Sequence, residues 1–121
     1  MAEGFARKYL TKHVIQSAGT HPQPVNLMAI EVMNEIGIDI SRYYSKSILD
    51  KDLKLHDIII TLCGDAKDEC VNLSAFAKKH VHWDLKDPAK AIGTSSEKLN
   101  FYRKIRDQIE NQIKSLTNEL Q

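Results

Sequence analysis

The segment HDIIITLC, residues 56–63, decides the fold. Ile58, Ile59 and Ile60 form an unbroken apolar run where a half-exposed strand would alternate. That pattern predicts a strand covered on both faces, as in a parallel sheet packed between helices. Cys63 ends this strand and Cys70 follows seven positions later, and the 121 residues hold only these two cysteines. In open α/β sheets ligands bind beyond the carboxyl ends of the strands. Cys63 therefore comes out at the edge where this kind of sheet does its chemistry.

Working outward, HVHWDL (80–85) reads as another strand, shorter and more polar, and so at an edge of the sheet. HVIQSAG (13–19) reads as a third, ended by Gly19, and THPQP after it as a turn. Helices fill the rest. Ala2, Phe5, Ala6, Tyr9 and Leu10 fall on one face of a 3.6-residue repeat. Pro24 opens a second helix whose stripe is Val25, Met28, Ala29, Val32, Met33 and Ile36, and Gly37 closes it. Residues 38–53 read as a loop. From Thr94, which has capping-box spacing to Glu97, a long helix runs almost to the end, with Phe101, Ile105, Ile109, Ile113, Leu116 and Leu120 along one side. The order describes one α/β domain over 1–121, an open parallel sheet flanked by helices.

Composition narrows the function. Apolar residues make up 42% and charged residues 27%, which is ordinary for a globular chain. A net charge of +1 gives no global field for nucleic acid or a membrane surface. Ile58–Ile60 is far too short to span a bilayer, and residues 1–12 lack the apolar centre of a signal peptide. A cytoplasmic monomer is expected. There thiols stay reduced, so a permanent structural disulfide is disfavoured.

Two segments carry candidate chemistry. If residues 64–70 were helical, Cys63 and Cys70 would stand about 10 Å apart along the axis, whereas a disulfide needs Cα atoms roughly 4.4–6.8 Å apart. Gly64 and the polar Asp65, Lys67, Asp68 and Glu69 would let that segment rearrange. Spacing alone still favours a plainer reading, with Cys63 a small buried hydrophobe and Cys70 a surface thiol. In WDLKDPA (83–89), Asp87 precedes Pro88, which pushes it to extended geometry in a stiff loop past a strand. Its carboxyl group suits general-acid work, although an Asp-Pro pair also simply ends a strand. Two thiols without a nearby histidine make a poor zinc site, and His80 and His82, alternating on one strand face, read as surface residues. Arg103, Lys104 and Arg106 are followed by Asp107 and Glu110, the mixture of a solvated face. No metal and no cofactor is expected.

Taken together, MAEGFA, QSAGTHPQPVNLMAIEVMNEIGIDIS, DIIITLCGDAKDEC, VHWDLKDPA and FYRKIRDQI resemble the thioredoxin-coupled arsenate reductases, relatives of the low-molecular-weight protein tyrosine phosphatases. The likeness covers nearly the whole chain in order. It implies a low-molecular-weight phosphatase-like fold and a three-thiol relay. In the family, a cysteine in an anion-binding loop attacks arsenate, a second matching Cys63 attacks the first as arsenite leaves, and a third matching Cys70 closes a disulfide that thioredoxin reduces. Asp87 matches the family's catalytic aspartate. Phosphatases of this fold share the Ser-Ala-Gly segment and the Asp-Pro loop but need no redox pair. They are the alternative reading, together with a non-catalytic remnant of either.

The family's C-x-x-x-x-x-R-S loop precedes MAEG, where this sequence begins. The sequence thus leads us to expect an N-terminally truncated, incomplete fold that lacks the first strand and does not reduce arsenate as it stands. The resemblance also implies a potassium ion in some members, bound by residues matching Glu3 and Ser17. Lys46, standing where an acid would help, is expected to replace it.

Overall fold

A computed structural model describes residues 1–18, 25–44, 46, 56–62 and 79–120. They fall in two compact units, Met1–Ser17, Gln23–Ser45 and Pro88–Gln121 in one, Ala18–Pro22 and Lys46–Asp87 in the other.

The first unit is helical: α1 (Ala2–Tyr9), α2 (Leu27–Asn34), a short 3-10 helix (Pro88–Lys90) and α3 (Ser95–Leu120). Both α1 and α2 pack on α3. Phe5, Val32, Met33, Ile40 and Ile113 are the most deeply buried side chains of this core. Glu3 in the first turn of α1 and Arg7 and Lys8 in its last turn complement the helix dipole. Tyr9 donates a hydrogen bond to Glu110 Oε2 at 2.8 Å, fastening α1 to α3. Gly4 lets α1 come close to the segment after α2. A Cβ there would stand 3.0 Å from Ile40 Cγ2, 3.1 Å from Ile38 Cγ2 and 3.2 Å from Met33 Cε.

Helix α2 begins later than Pro24 suggested. Pro24 lies outside the described residues, and the cap is Asn26, whose Oδ1 accepts from the N–H groups of Met28 (2.8 Å) and Ala29 (3.3 Å). Gly37 ends the helix as expected, with φ +81°, and the Ile38 N–H reaches back to the Met33 carbonyl at 3.0 Å. Of the 38–53 loop, the described part is held by the buried Ile40 and by a side-chain turn in which Asp39 Oδ1 accepts from the Ser41 N–H at 2.9 Å.

The capping box at α3 is present. Thr94 Oγ1 accepts from the Glu97 N–H at 3.1 Å, and Glu97 Oε1 accepts from the Thr94 N–H at 3.4 Å. Thr94→Ala should cost about 1 kcal/mol. It should fray the first turn, readable as faster amide exchange over 95–98. The buried stripe is Tyr102, Ile105, Ile109, Ile113 and Leu116, while Phe101 and Leu120 are only half-buried. Spacings of three, four, four and three keep that stripe on one side, and Tyr102 rather than Phe101 fits them.

The second unit contains β1 (Ile58–Thr61) and β2 (Lys79–His82), paired in parallel with Ile58 opposite Lys79 and Thr61 opposite His82. Ile59 and Thr61 are buried, while Ile58 and Ile60 are half-buried, so one face is covered more completely than the other. The strand expected over 80–85 is shorter. Trp83 still donates to the Thr61 carbonyl at 2.9 Å, but the Leu85 N–H turns back to the Trp83 carbonyl at 3.0 Å and leaves the ladder. Trp83 and Leu85 are nonetheless buried.

The strand expected over 13–19 is absent from its described part, 13–18. A strand exists only with a ladder partner, and here the Ile15 carbonyl accepts from Arg7 Nη2 at 3.0 Å instead. Val14 is 84% exposed. Gly19 lies outside the described residues.

Candidate functional site

Of the residues singled out for chemistry, Cys63 and Cys70 lie outside the described residues, and Asp87 lies within them. Asp87 is exposed, five positions past the end of β2 and directly before the 3-10 helix that Pro88 opens. Proline at the first position of that turn sets φ where the turn needs it. Asp87 thereby stands exposed at the turn that Pro88 opens. The described residues do not bring Asp87 together with a nucleophile.

The carboxyl end of β1, two residues before Cys63, is fastened in a way the sequence did not predict. Thr61 is buried, and its Oγ1 lies 3.1 Å from His80 Nε2 and 2.6 Å from His82 Nδ1. One hydroxyl has one proton. It can donate to only one imidazole, so at least one of the two rings donates an N–H to the Thr61 oxygen. The expectation that these histidines are surface residues holds for the exposed His82 and is corrected for His80. His80 is half-buried, and both are tied to the strand that leads to Cys63. Their alternation was visible, but the threonine facing them appears only with the strand register.

The solvated face expected on α3 is corrected at Arg106, while Lys104 is exposed. Arg106 is buried, and its Nη1 donates to the Val32 carbonyl and to Glu35 Oε1, both at 2.9 Å, while its Nε donates to Asp107 Oδ1 at 2.9 Å. Arg103 joins from the rim, with Nη2 2.7 Å from Glu35 Oε2. This is a junction between α2 and α3. Hydrogen bonding by Arg103 first, and by Arg106 after it, holds the Glu35 carboxyl below the usual carboxylate range.

At the start of α1, Glu3 is enclosed by donors. Ser17 Oγ donates to Glu3 Oε1, and Arg7 Nε donates to Glu3 Oε2 at 2.8 Å. Both oxygens of Glu3 thus accept from side-chain donors, and Arg7 is a cation beside them. Arg7 was not singled out for this place from the sequence. Among the described residues no three His, Cys, Asp or Glu side chains stand together as a metal site, and no helix is long and apolar enough to cross a membrane.

Comparison with known proteins gives these features a context. The family model for low molecular weight phosphotyrosine protein phosphatase matches residues 1–121. The chain is 43% identical over 116 residues to the arsenate reductase of Bacillus subtilis, covering 94% of this chain and 82% of that protein. It is 44% identical over 116 residues to the arsenate reductase of Halalkalibacterium halodurans, covering 95% and 83%. Among solved structures, an arsenate reductase in the phosphate binding state superposes with a TM-score of 0.82 at 28% identity, over 99% of this chain and 87% of that one. A protein tyrosine phosphatase superposes with a TM-score of 0.78 at 16% identity, over 98% and 84%, a likeness of fold alone. The expected fold class, a parallel sheet flanked by helices of the low-molecular-weight phosphatase type, is the one these likenesses show.

Proposed function

The chain belongs to the low molecular weight phosphotyrosine protein phosphatase family, and from that premise we propose that it is an arsenate reductase of the thioredoxin-coupled kind, working in the cytoplasm. Identity of 43–44% to two arsenate reductases carries this reading. The Cys63/Cys70 pair supports it, because a phosphatase has no use for a second and third thiol. The match over 1–121 supports treating the chain as one domain.

In the relay, the family's attacking cysteine lies in the loop ahead of MAEG, and Cys63 and Cys70 are the second and third thiols. The Cys63 thiolate attacks the sulfur that carries arsenic. A disulfide forms, the S–As electron pair stays on arsenic, and As(V) leaves as As(III). Asp87 supplies the proton to a departing oxygen. Cys70 then attacks Cys63, frees the first thiol and leaves the Cys63–Cys70 disulfide. A thioredoxin dithiol takes up that oxidation by the same exchange.

The last two thiols can be tested in residues 1–121 directly. Mild oxidation should remove two labelable thiols from the monomer, read as a mass shift after alkylation. Thioredoxin with its reductase and NADPH should then restore both, with one NADPH consumed per chain. Two thiols that remain separately labelable after oxidation would overturn the reading.

A further inference from the structure

The strand pair carries a convergence of side chains that the thiol relay does not use. Alternate residues of a strand share a face, so His80 and His82 lie on one side of β2, and the register sets Thr61 directly opposite His82. His80 turns Nε2 and His82 turns Nδ1 toward the same atom, Thr61 Oγ1, at 3.1 and 2.6 Å. That oxygen belongs to a buried residue, whereas His82 is open to water. Imidazole nitrogen suits zinc, nickel and copper ions, while magnesium takes oxygen donors. Ligands at roughly 2.0–2.1 Å from a tetrahedral ion stand about 3.4 Å from one another. Both N–O separations fall short of that spacing by less than an ångström, a change that rotation of the rings supplies.

We propose that His80 Nε2 and His82 Nδ1 chelate a divalent ion of the zinc and nickel class beside Thr61 Oγ1, with water in the remaining positions. Each nitrogen needs a free lone pair to bind, so a proton on it passes to the far nitrogen of the ring, Nδ1 in His80 and Nε2 in His82. Two imidazoles on one strand face make a chelate. Once the first has captured the ion the second is already beside it, which raises affinity above that of a single histidine. Thr61 belongs to β1 and the histidines to β2, so the site forms only with the two strands in their native register. The histidine pair is visible in the sequence, but only the register sets an oxygen between the rings. The inference involves neither cysteine and does not rest on the reductase reading.

The test titrates the full chain carrying Cys63→Ser and Cys70→Ser with nickel chloride, followed by calorimetry in a buffer that does not coordinate metals. The serines remove the thiols as competing ligands. This chain should take up one nickel ion at micromolar concentration and should ignore magnesium. His80→Gln or His82→Gln added to it keeps a polar group toward Thr61 but removes a nitrogen ligand, and should weaken uptake by about tenfold or more. A second readout uses the unaltered chain. An ion that binds only the folded form raises the melting midpoint, so saturating nickel should raise it in the unaltered chain and not in either glutamine variant. These melts decide alone if the serine chain fails to fold. Four outcomes overturn the proposal: no uptake by a folded serine chain, uptake undiminished by the glutamine substitutions, magnesium bound as well as nickel, or a nickel-dependent rise in melting that is absent from the unaltered chain or persists in both glutamine variants.

Discussion

Cys70→Ser should reduce thioredoxin-dependent NADPH consumption by the oxidised chain to background, because Cys63 then has no partner within the molecule. This is the largest functional effect expected of any single substitution here, since a disulfide either forms or does not. The same variant separates the two activities found on this fold. Carried in a protein that also has the family's cysteine loop ahead of MAEG, it should abolish repeated arsenate turnover and leave aryl-phosphate hydrolysis unchanged. Hydrolysis needs only the loop nucleophile and a proton donor, whereas reduction must dispose of two electrons per cycle. If arsenate turnover persisted with Cys70 gone, the relay as assigned would be wrong. Cys63→Ser should stop the cycle one step earlier, with arsenic still bound to the first thiol.

The largest effect on stability is expected at Arg106. Arg106→Ala removes the donor to the Val32 carbonyl and to two carboxylates. The Val32 carbonyl then loses the buried donor that Arg106 supplied. The cost should be about 2–4 kcal/mol, seen as a drop of roughly 10 °C in the melting midpoint. Arg106→Lys should recover only part, because one ammonium cannot span three acceptors in the fork arrangement of a guanidinium. Arg103→Ala, at the solvent rim, should cost far less. Acid titration gives an independent check. The folded Glu35 carboxyl titrates below its ordinary value of 4.5, so its contribution is complete above that pH and fades as the pH falls through the lower folded value. Removing either arginine should flatten this part of the acid limb.

Some of this structure was legible in residue order. Thr94 with Glu97, Gly37 after the Ile36 stripe, and the Ile58–Ile60 run each announced an element through a local interaction, and each local interaction is there. What was not legible depended on residues distant in the chain. Arg106 looks solvated when judged by Asp107 and Glu110 beside it, and only the end of α2, some seventy positions away, shows that it is buried. His80 and His82 needed Thr61 in register. The 13–19 segment has the composition of a strand, but composition supplies no ladder partner. Of the candidate site, Asp87 was expected just past a strand and stands exposed five positions beyond β2, while Cys63 and Cys70 lie outside the described residues.

Trp83 is the single tryptophan of the chain and is buried in the unit that holds the strand pair, while the described α-helices belong to the other unit. Indole emission therefore reports on one unit, and the ellipticity of α1, α2 and α3 near 222 nm on the other. One sample followed by both signals would tell whether the two come apart together or in succession, with no label attached.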